Sequence, residues 1–311
     1  MVNQVKPNLS IKLGTLALKN PVMVASGTFG YAQEFKDFID LKKLGAVVTK
    51  TITVKPRQGN ISPRTCETPA GMLNSIGLEN PGIGKFIQDK LPFLSKLGIP
   101  VIVSIAAEEN PEEFVSLAQQ LDLLPEVSAI ELNISCPNLA KNKLISQDAG
   151  ETLELTNAVR KVTSKCLIVK LSPNVASIQE IALAAQSAGA DALALINTFS
   201  GMSIDVHKRT PKLGSWVGGL SGPAIRPVAV RMVWEVFNKI KIPIVGMGGI
   251  MDTESALEFF IAGATAISVG TANFINPKAS LEIISGLQRY MSDNHMQNLS
   301  QLTGRLKACK N

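Results

Sequence analysis

The residues best suited to chemistry run from Glu131 to Asn138, Glu-Leu-Asn-Ile-Ser-Cys-Pro-Asn. Their first half continues an apolar run that begins at Ala129 and reads as the end of a buried strand. Pro137 has no N–H and a fixed φ, so the strand's pairing cannot continue through it. Cys136 therefore falls where a strand gives way to a loop, between the amides of Asn133 and Asn138. A thiol placed there can serve as a base or nucleophile once ionised; it can equally be a small core hydrophobe. The four cysteines, Cys66, Cys136, Cys166 and Cys309, form no Cys-x-x-Cys pair. That spacing argues against zinc or an iron–sulfur cluster in this chain, and it suits a reducing, cytoplasmic setting. His207 and His295 are the only histidines, neither near a second ligand in sequence. Chemistry here must work largely without histidine.

A residue at a strand's end is only as useful as the scaffold that holds it. Short continuous apolar runs recur at 21–25, 46–52, 100–106, 129–134, 167–171, 192–196, 242–247 and 266–269. Helical patterns separate or follow them at 32–44, 83–97, 111–124, 149–163, 178–188, 223–240, 253–261 and 277–291. Ser177-Ile-Gln-Glu180 has the form of a capping box, Asp252 can cap the helix after it, and Pro223 suits a first helical position. Gly189 and Gly263 punctuate the passage from helix to buried strand. Unbroken apolar strands alternating with helices imply a parallel sheet covered on both faces. Eight such units predict a (β/α)₈ TIM barrel, a single domain over residues 1–311. A doubly wound open sheet is the alternative, but no Gly-x-Gly-x-x-Gly opens a helix after the first strand. Residues 9–18 alternate around a glycine and predict a small N-terminal β-hairpin. The connections 53–80 and 199–221 are long insertions after strands 2 and 6, with the mixed composition of folded lids.

In a barrel of this kind the active site lies at the carboxyl ends of the strands. Those ends carry Ser26, Lys50-Thr51, Ser104, Asn133 with Cys136, Lys170, Asn197-Thr198, Gly248-Gly249 and Gly270-Thr271. Glycines after the last two strands let backbone N–H groups approach a phosphate, so Gly222, Gly248, Gly249, Gly270 and Thr271 form a candidate phosphate cradle. The same glycines could simply make tight turns. Lys50 and Lys170 each end an apolar strand, and a lysine is almost never buried without a partner. A cation there would stabilise charge developing on an electron-accepting ring. Asn74, Asn133, Asn138 and Asn197 offer uncharged donors and acceptors to a flat, amide-rich ligand.

Bulk properties narrow the class. Of 311 residues, 45% are hydrophobic and 18% charged, enough for a large core and against wholesale disorder. A net charge of +6 with 5% aromatics, and no basic stretch interleaved with aromatics, disfavours nucleic acid. No apolar run is long enough to span a bilayer, and the first residues lack a signal-peptide pattern.

The motifs together resemble a known family. Glu131–Asn138 is similar to the catalytic loop of the class 1 dihydroorotate dehydrogenases, FMN-dependent barrel enzymes of pyrimidine biosynthesis. The likeness runs along the chain through Ala25-Ser-Gly-Thr-Phe-Gly30, Thr49-Lys-Thr51, Lys55-Pro-Arg-Gln-Gly-Asn60, Gly71-Met-Leu-Asn74, Ile76-Gly-Leu78, Val169-Lys-Leu-Ser-Pro-Asn174, Ile196-Asn-Thr198, Gly218-Gly-Leu-Ser-Gly-Pro223 and Gly246-Met-Gly-Gly249. The resemblance implies oxidation of dihydroorotate to orotate, with Cys136 as the base that removes the C5 proton while hydride leaves C6 for FMN. It implies FMN contacts at Ser26, Lys50, Thr51, Asn133, Lys170, Ile196, Gly222, Gly248, Gly249, Gly270 and Thr271. It implies orotate contacts at Lys50, Asn74, Ile76, Gly77, Leu78, Asn133, Asn138, Asn197 and Thr198. No metal is implied in this chain.

Asn197-Thr-Phe-Ser-Gly-Met-Ser-Ile-Asp205 followed by Gly219-Leu-Ser-Gly-Pro-Ala-Ile-Arg-Pro resembles the class 1B branch. Its members pass electrons to NAD⁺ through a partner subunit holding FAD and a [2Fe–2S] cluster, around a homodimeric core in a heterotetramer. The fumarate-dependent class 1A homodimers are the close alternative. An FMN barrel acting on another dihydropyrimidine is a third reading, and a non-catalytic phosphate-binding scaffold, which predicts no bound flavin, is a fourth. One departure stands out. Where the family carries Asn-x-Ala-Gly after the third strand, this chain has Ser104-Ile-Ala-Ala107, leaving Ser104 as a shorter candidate flavin neighbour.

Overall fold

The computed structural model describes residues 7–134 and 145–308, so Cys136 and Asn138 lie outside the described residues. The chain opens with β1 (Ile11–Leu13) and β2 (Leu16–Leu18), an antiparallel hairpin turning at Gly14. The first barrel strands are β3 (Val22–Val24) and β4 (Ala46–Val48). The long connection after β4 supplies β5 (Thr65–Thr68) and β6 (Gly71–Asn74), then α1 (Gly82–Lys85) and α2 (Leu91–Ser95) with a π-helical turn between them. Next come β7 (Val101–Ile105), α3 (Glu112–Asp122), β8 (Ala129–Asn133), α4 (Ala149–Arg160), β9 (Cys166–Lys170), α5 (Ile178–Ser187) and β10 (Ala192–Leu195). The second long connection holds β11 (Phe199–Gly201), β12 (Ile204–Asp205), β13 (Thr210–Pro211) and β14 (Gly218–Ser221). The chain continues through α6 (Arg226–Phe237), β15 (Ile244–Gly246), α7 (Thr253–Ala262), β16 (Ala266–Val269), α8 (Ala272–Ile275) and α9 (Ala279–Asp293).

Strands β3, β4, β7, β8, β9, β10, β15 and β16 close into a parallel barrel in that order, β16 pairing with β3. This is the expected (β/α)₈ architecture, and the reason is visible residue by residue. Met23, Val48, Ile102, Ala129, Ile168, Ala194, Val245 and Ala266 point inward as one cluster. Val22, Val24, Val47, Val101, Val103, Val169 and Ile267 point outward against the helices. Both faces of every strand are dry, which is why the runs read as continuous. The hairpin's Leu13, Leu16 and Leu18 join the inner cluster and close its floor. Each such leucine contributes about 2 kcal/mol by leaving water.

Two expectations need correction. Residues 32–44 do not form one helix; they make separate 3₁₀ turns at Gln33–Phe35 and Leu41–Lys43. Ala32 sits in the left-handed region at φ 65°, and Asp40 adopts an extended backbone to cap Lys42 N, so helical dihedrals cannot run through. Ser177 caps its helix by accepting from Glu180 N, without the reciprocal Glu180 arm of a box; the full box is Asp252 with Ser255.

The two insertions meet. They build one antiparallel sheet in the order β11-β14-β6-β5, with Gly219 opposite Asn74 and Ser221 opposite Met72. The folded character expected of each arises because each completes the other. Among the described residues no helix is long and apolar enough to cross a membrane.

Candidate active site

At the ends of β15 and β16 the backbone forms a cradle. Gly249 has φ 77°, and a Cβ there would stand 2.8 Å from both the Gly222 carbonyl oxygen and Arg226 Cβ. Gly222 has φ 93°, and its Cβ would lie 2.8 Å from Gly71 Cα. Only glycine fits either position. Thr271 Oγ1 lies 2.8 Å from Ser221 Oγ and ties the β16 side to β14. No described residue accepts a hydrogen bond from the N–H groups of Gly248, Gly249, Gly270 or Thr271. Open N–H groups among glycines that line a cleft suit an anion.

The cradle opens into a cleft at the carboxyl ends of the barrel strands. Ser26, Lys170, Ile196, Gly222, Gly248, Gly249, Gly270 and Thr271 line it, as do Asn197 and Thr198. Its wall also includes Thr28, Ser221, Met247, Met251 and Ser268, which sequence reasoning passed over. Ser268 was legible in principle, because it shares the inward parity of Ala266 and Gly270 on one strand.

Lys50, Thr51 and Asn133 do not line this cleft; they stand beside it in one hydrogen-bonded chain or at its edge. Asn197 Nδ2 donates to Asn133 Oδ1 at 3.4 Å, and Asn133 Nδ2 donates to Thr51 Oγ1 at 3.2 Å. Thr51 Oγ1 in turn lies 2.9 Å from Ser104 Oγ. Ser104 is fully buried, so its hydroxyl braces Thr51 and does not reach the cleft. Ser104, the candidate flavin neighbour, is thus bonded to Thr51 and, like Lys50, Thr51 and Asn133, is not part of the cleft lining. Lys170 is only 4% exposed, and its ammonium donates to Ser26 Oγ at 3.1 Å. Lys50 is half-buried on the other flank, its backbone N–H bound to the Gly30 carbonyl at 2.8 Å.

The residues expected to meet orotate from the first insertion form a clamped wall. Asn74 Nδ2 donates to the Gly219 carbonyl at 3.1 Å, fixing the wall to β14. Asn60 accepts the turn of Gly77 so closely that a Cβ there would be 2.4 Å from Asn60 Oδ1. Asn60 N–H donates to the Ile76 carbonyl at 3.0 Å, and its amide to Ser75 Oγ at 2.7 Å. Buried Asn80 donates to the Leu78 carbonyl at 2.7 Å and to Thr53 Oγ1 at 2.8 Å. These two asparagines hold Ile76, Gly77 and Leu78 in place, a role that local sequence could not assign.

Proton chemistry has few candidates among the described residues. His207 and His295 are exposed, away from the cleft lining. Cys166 points at the opposite, hairpin-closed end, its thiol donating to the Leu13 carbonyl at 3.2 Å. Burial, reinforced by the Asp191 carboxylate, pushes that thiol up to about 12, so it stays protonated and inert. Cys66 is half-exposed on β5.

The donor set fits FMN. The N–H cradle suits a phosphate, Lys170 suits the polar edge of a reducible ring, and Ile196 and Met247, in the same lining, would give such a ring apolar neighbours. Comparison with known proteins points the same way. A family profile described as dihydroorotate dehydrogenase matches residues 8–291. A protein of Geotalea uraniireducens named dihydroorotate dehydrogenase B (NAD(+)), catalytic subunit, is 52% identical over 97% of this chain and 99% of its own length. Proteins of the same name from Desulforamulus reducens and Thermoanaerobacter pseudethanolicus are 51% and 50% identical, each over 96% of this chain and 98% and 99% of their own. The profile match and these full-length relatives place the chain in the dihydroorotate dehydrogenase family, to which it belongs.

Proposed function

We propose that this chain oxidises dihydroorotate to orotate in pyrimidine biosynthesis, as the catalytic subunit of an NAD-linked dihydroorotate dehydrogenase. The observation that carries the proposal is one continuous arrangement: a phosphate cradle, a buried cation and an asparagine chain leading to Asn133, three residues before Cys136. When bound, FMN supplies the two-electron acceptor for the hydride leaving C6. Gly222, Gly248, Gly249, Gly270 and Thr271 would hold its phosphate, and Ser26, Lys170, Ile196, Lys50, Thr51 and Asn133 its ring system.

Lys50 would meet the anionic substrate, with Asn74, Asn133, Asn138, Asn197 and Thr198 reading its amide edges against Ile76, Gly77 and Leu78. Cys136 would take the C5 proton, completing the C5=C6 double bond. A thiol ordinarily titrates near about 8.5, so a modest downward shift gives useful thiolate at neutral pH. The exposed positions of both histidines and the inert state of Cys166 favour that assignment.

Electrons would then pass to NAD⁺ through a partner subunit carrying FAD and a [2Fe–2S] cluster, on a homodimeric core in the cytoplasm. Supporting an assembly, the second insertion presents Met202, Ile204, Val206, Trp216 and Val217 to solvent, Trp216 at 73% exposure. The test is an anaerobic visible spectrum of the purified chain. A flavin spectrum bleached by dihydroorotate supports the reading; a flavin that dihydroorotate leaves oxidised refutes it. Cys136→Ala should retain the flavin and bleach orders of magnitude more slowly.

A further inference from the structure

A carboxylate stands unexpectedly close to the cation that the proposed function assigns to an anionic substrate. Glu79 Oε2 lies 4.0 Å from Lys50 Nζ, and the same oxygen lies 2.6 Å from Arg64 Nη1. Arg64 is fixed independently of that pair. Its Nε donates to the Asn60 carbonyl and its Nη2 to the Gln58 carbonyl at 2.8 Å. Its own carbonyl accepts from Ser75 N at 2.7 Å. Arg64 therefore belongs to the clamp that holds the wall formed by Ile76, Gly77 and Leu78. Glu79 follows that wall directly, and packs so closely on the clamp that a Cβ at Gly59 would lie 3.0 Å from Glu79 Cβ.

Resting on the reading of Lys50 above, we propose that Glu79 and Arg64 set the affinity for the substrate's carboxylate. Glu79 is the resting partner of Lys50, and Arg64 weakens that hold by drawing off the same carboxylate oxygen. Lys50 is partly exposed, and the carboxylate paired with it in the absence of ligand is that of Glu79. An arriving carboxylate must take Lys50 from Glu79, and the Arg64 guanidinium keeps Glu79 partly neutralised while it does so. Neither Glu79 nor Arg64 touches the reacting atoms; both are positioning residues.

The two halves of this ion pair should act with opposite signs. Orotate binding is read from the shift it causes in the visible spectrum of the flavin-loaded protein, at low salt. Glu79→Gln removes the competitor and should tighten orotate about fivefold, the factor that about 1 kcal/mol between unit charges 4 Å apart in watery surroundings implies. Arg64→Gln leaves Glu79 at full charge and should weaken orotate by a similar factor. Arg64→Lys restores the charge without the two carbonyl bonds and should stay near wild type. Both differences should shrink in high salt, because the pair is partly exposed.

A purely structural clamp predicts something else. Both charge-removing variants would then loosen the wall and weaken orotate, and lysine would not rescue Arg64. That pattern, or an Glu79→Gln affinity within twofold of wild type, overturns the inference. If Arg64→Gln does not fold, Glu79→Gln and Arg64→Lys decide it alone. A wild-type flavoprotein that binds no orotate refutes the proposed function itself, and this inference with it.

Discussion

Gly249→Ala tests the phosphate cradle at its tightest point. The residue has φ 77°, where an L side chain costs about 1–2 kcal/mol. Its new methyl would stand 2.8 Å from the Gly222 carbonyl oxygen, so backbone must move on one side or the other. Either movement shifts the cradle's backbone and the N–H groups it would offer a phosphate, because Gly222 and Gly249 both line the cleft. A hydrogen bond to a charged partner contributes about 1.5–3 kcal/mol, so losing one should weaken FMN about 10–150-fold. The assay is titration of flavin-free protein with FMN and, in parallel, with riboflavin, which has no phosphate. FMN affinity should fall while riboflavin affinity stays within about threefold, and the melting temperature should drop by no more than about 8 °C. Gly84→Ala is the control: its Cβ meets nothing within 4 Å, and alanine in a helix is about 0.5–1 kcal/mol better. Equal losses for FMN and riboflavin would show that the cradle does not read phosphate, and an unchanged FMN affinity would refute the steric argument outright.

Other perturbations separate chemistry from scaffold. Lys170→Met should leave stability unchanged or raised, since it removes a buried charge, while slowing anaerobic flavin reduction about 10²–10³-fold; a collapse of the melting temperature with normal reduction would make Lys170 structural. Arg160→Met should cost about 2–4 kcal/mol in urea unfolding. The guanidinium bonds Asp191 at 2.8 Å and the Lys165 carbonyl at 2.9 Å, and the same Asp191 oxygen accepts from Leu167 N. Asp252→Asn should cost under about 1 kcal/mol at neutral pH, as an altered helix cap. Hydrogen bonds from Ser255 hold the Asp252 carboxyl below its ordinary value. Its stabilisation is thus complete above the unfolded pKa of about 3.9 and is lost as pH falls through the lowered folded value. The variant's deficit in a thermal melt should accordingly vanish in acid; a deficit that persists there would contradict the charged-cap account.

The barrel was legible because each strand is buried on both faces and so writes an unbroken apolar word, such as Val101 to Ile105. Lysine ending such a word, as Lys170 does, and glycine following the last two, are chemical exceptions that stand out against it. The segment 32–44 misled because helix-compatible spacing says nothing about the left-handed backbone at Ala32 or the extended one at Asp40. The sheet joining the insertions was hidden for a different reason. Asn74 and Gly219 are 145 residues apart, and neither strand's pattern names its partner. The same holds for Ser104, whose departure from the family pattern was plain while its contact with Thr51 was not.

That hidden sheet explains why the site has one geometry instead of two. Strand β6 ends in Asn74 at the proposed substrate wall, and it begins at Gly71, which packs on Gly222 in the cradle. Strand β14 runs beside it from Gly218 to Ser221, accepting Asn74 through the Gly219 carbonyl and facing Thr271 through Ser221. A wall and a cradle sharing two short paired strands cannot shift independently, since a change of register would turn every side chain to the other face. The distance between a flavin whose phosphate the cradle would hold and a substrate that the wall would meet is then set by the backbone. Hydride transfer demands that kind of fixed spacing, because misplacement by about 1 Å can cost about a hundredfold in rate. The long insertions, unnecessary for closing a barrel, are what supply it.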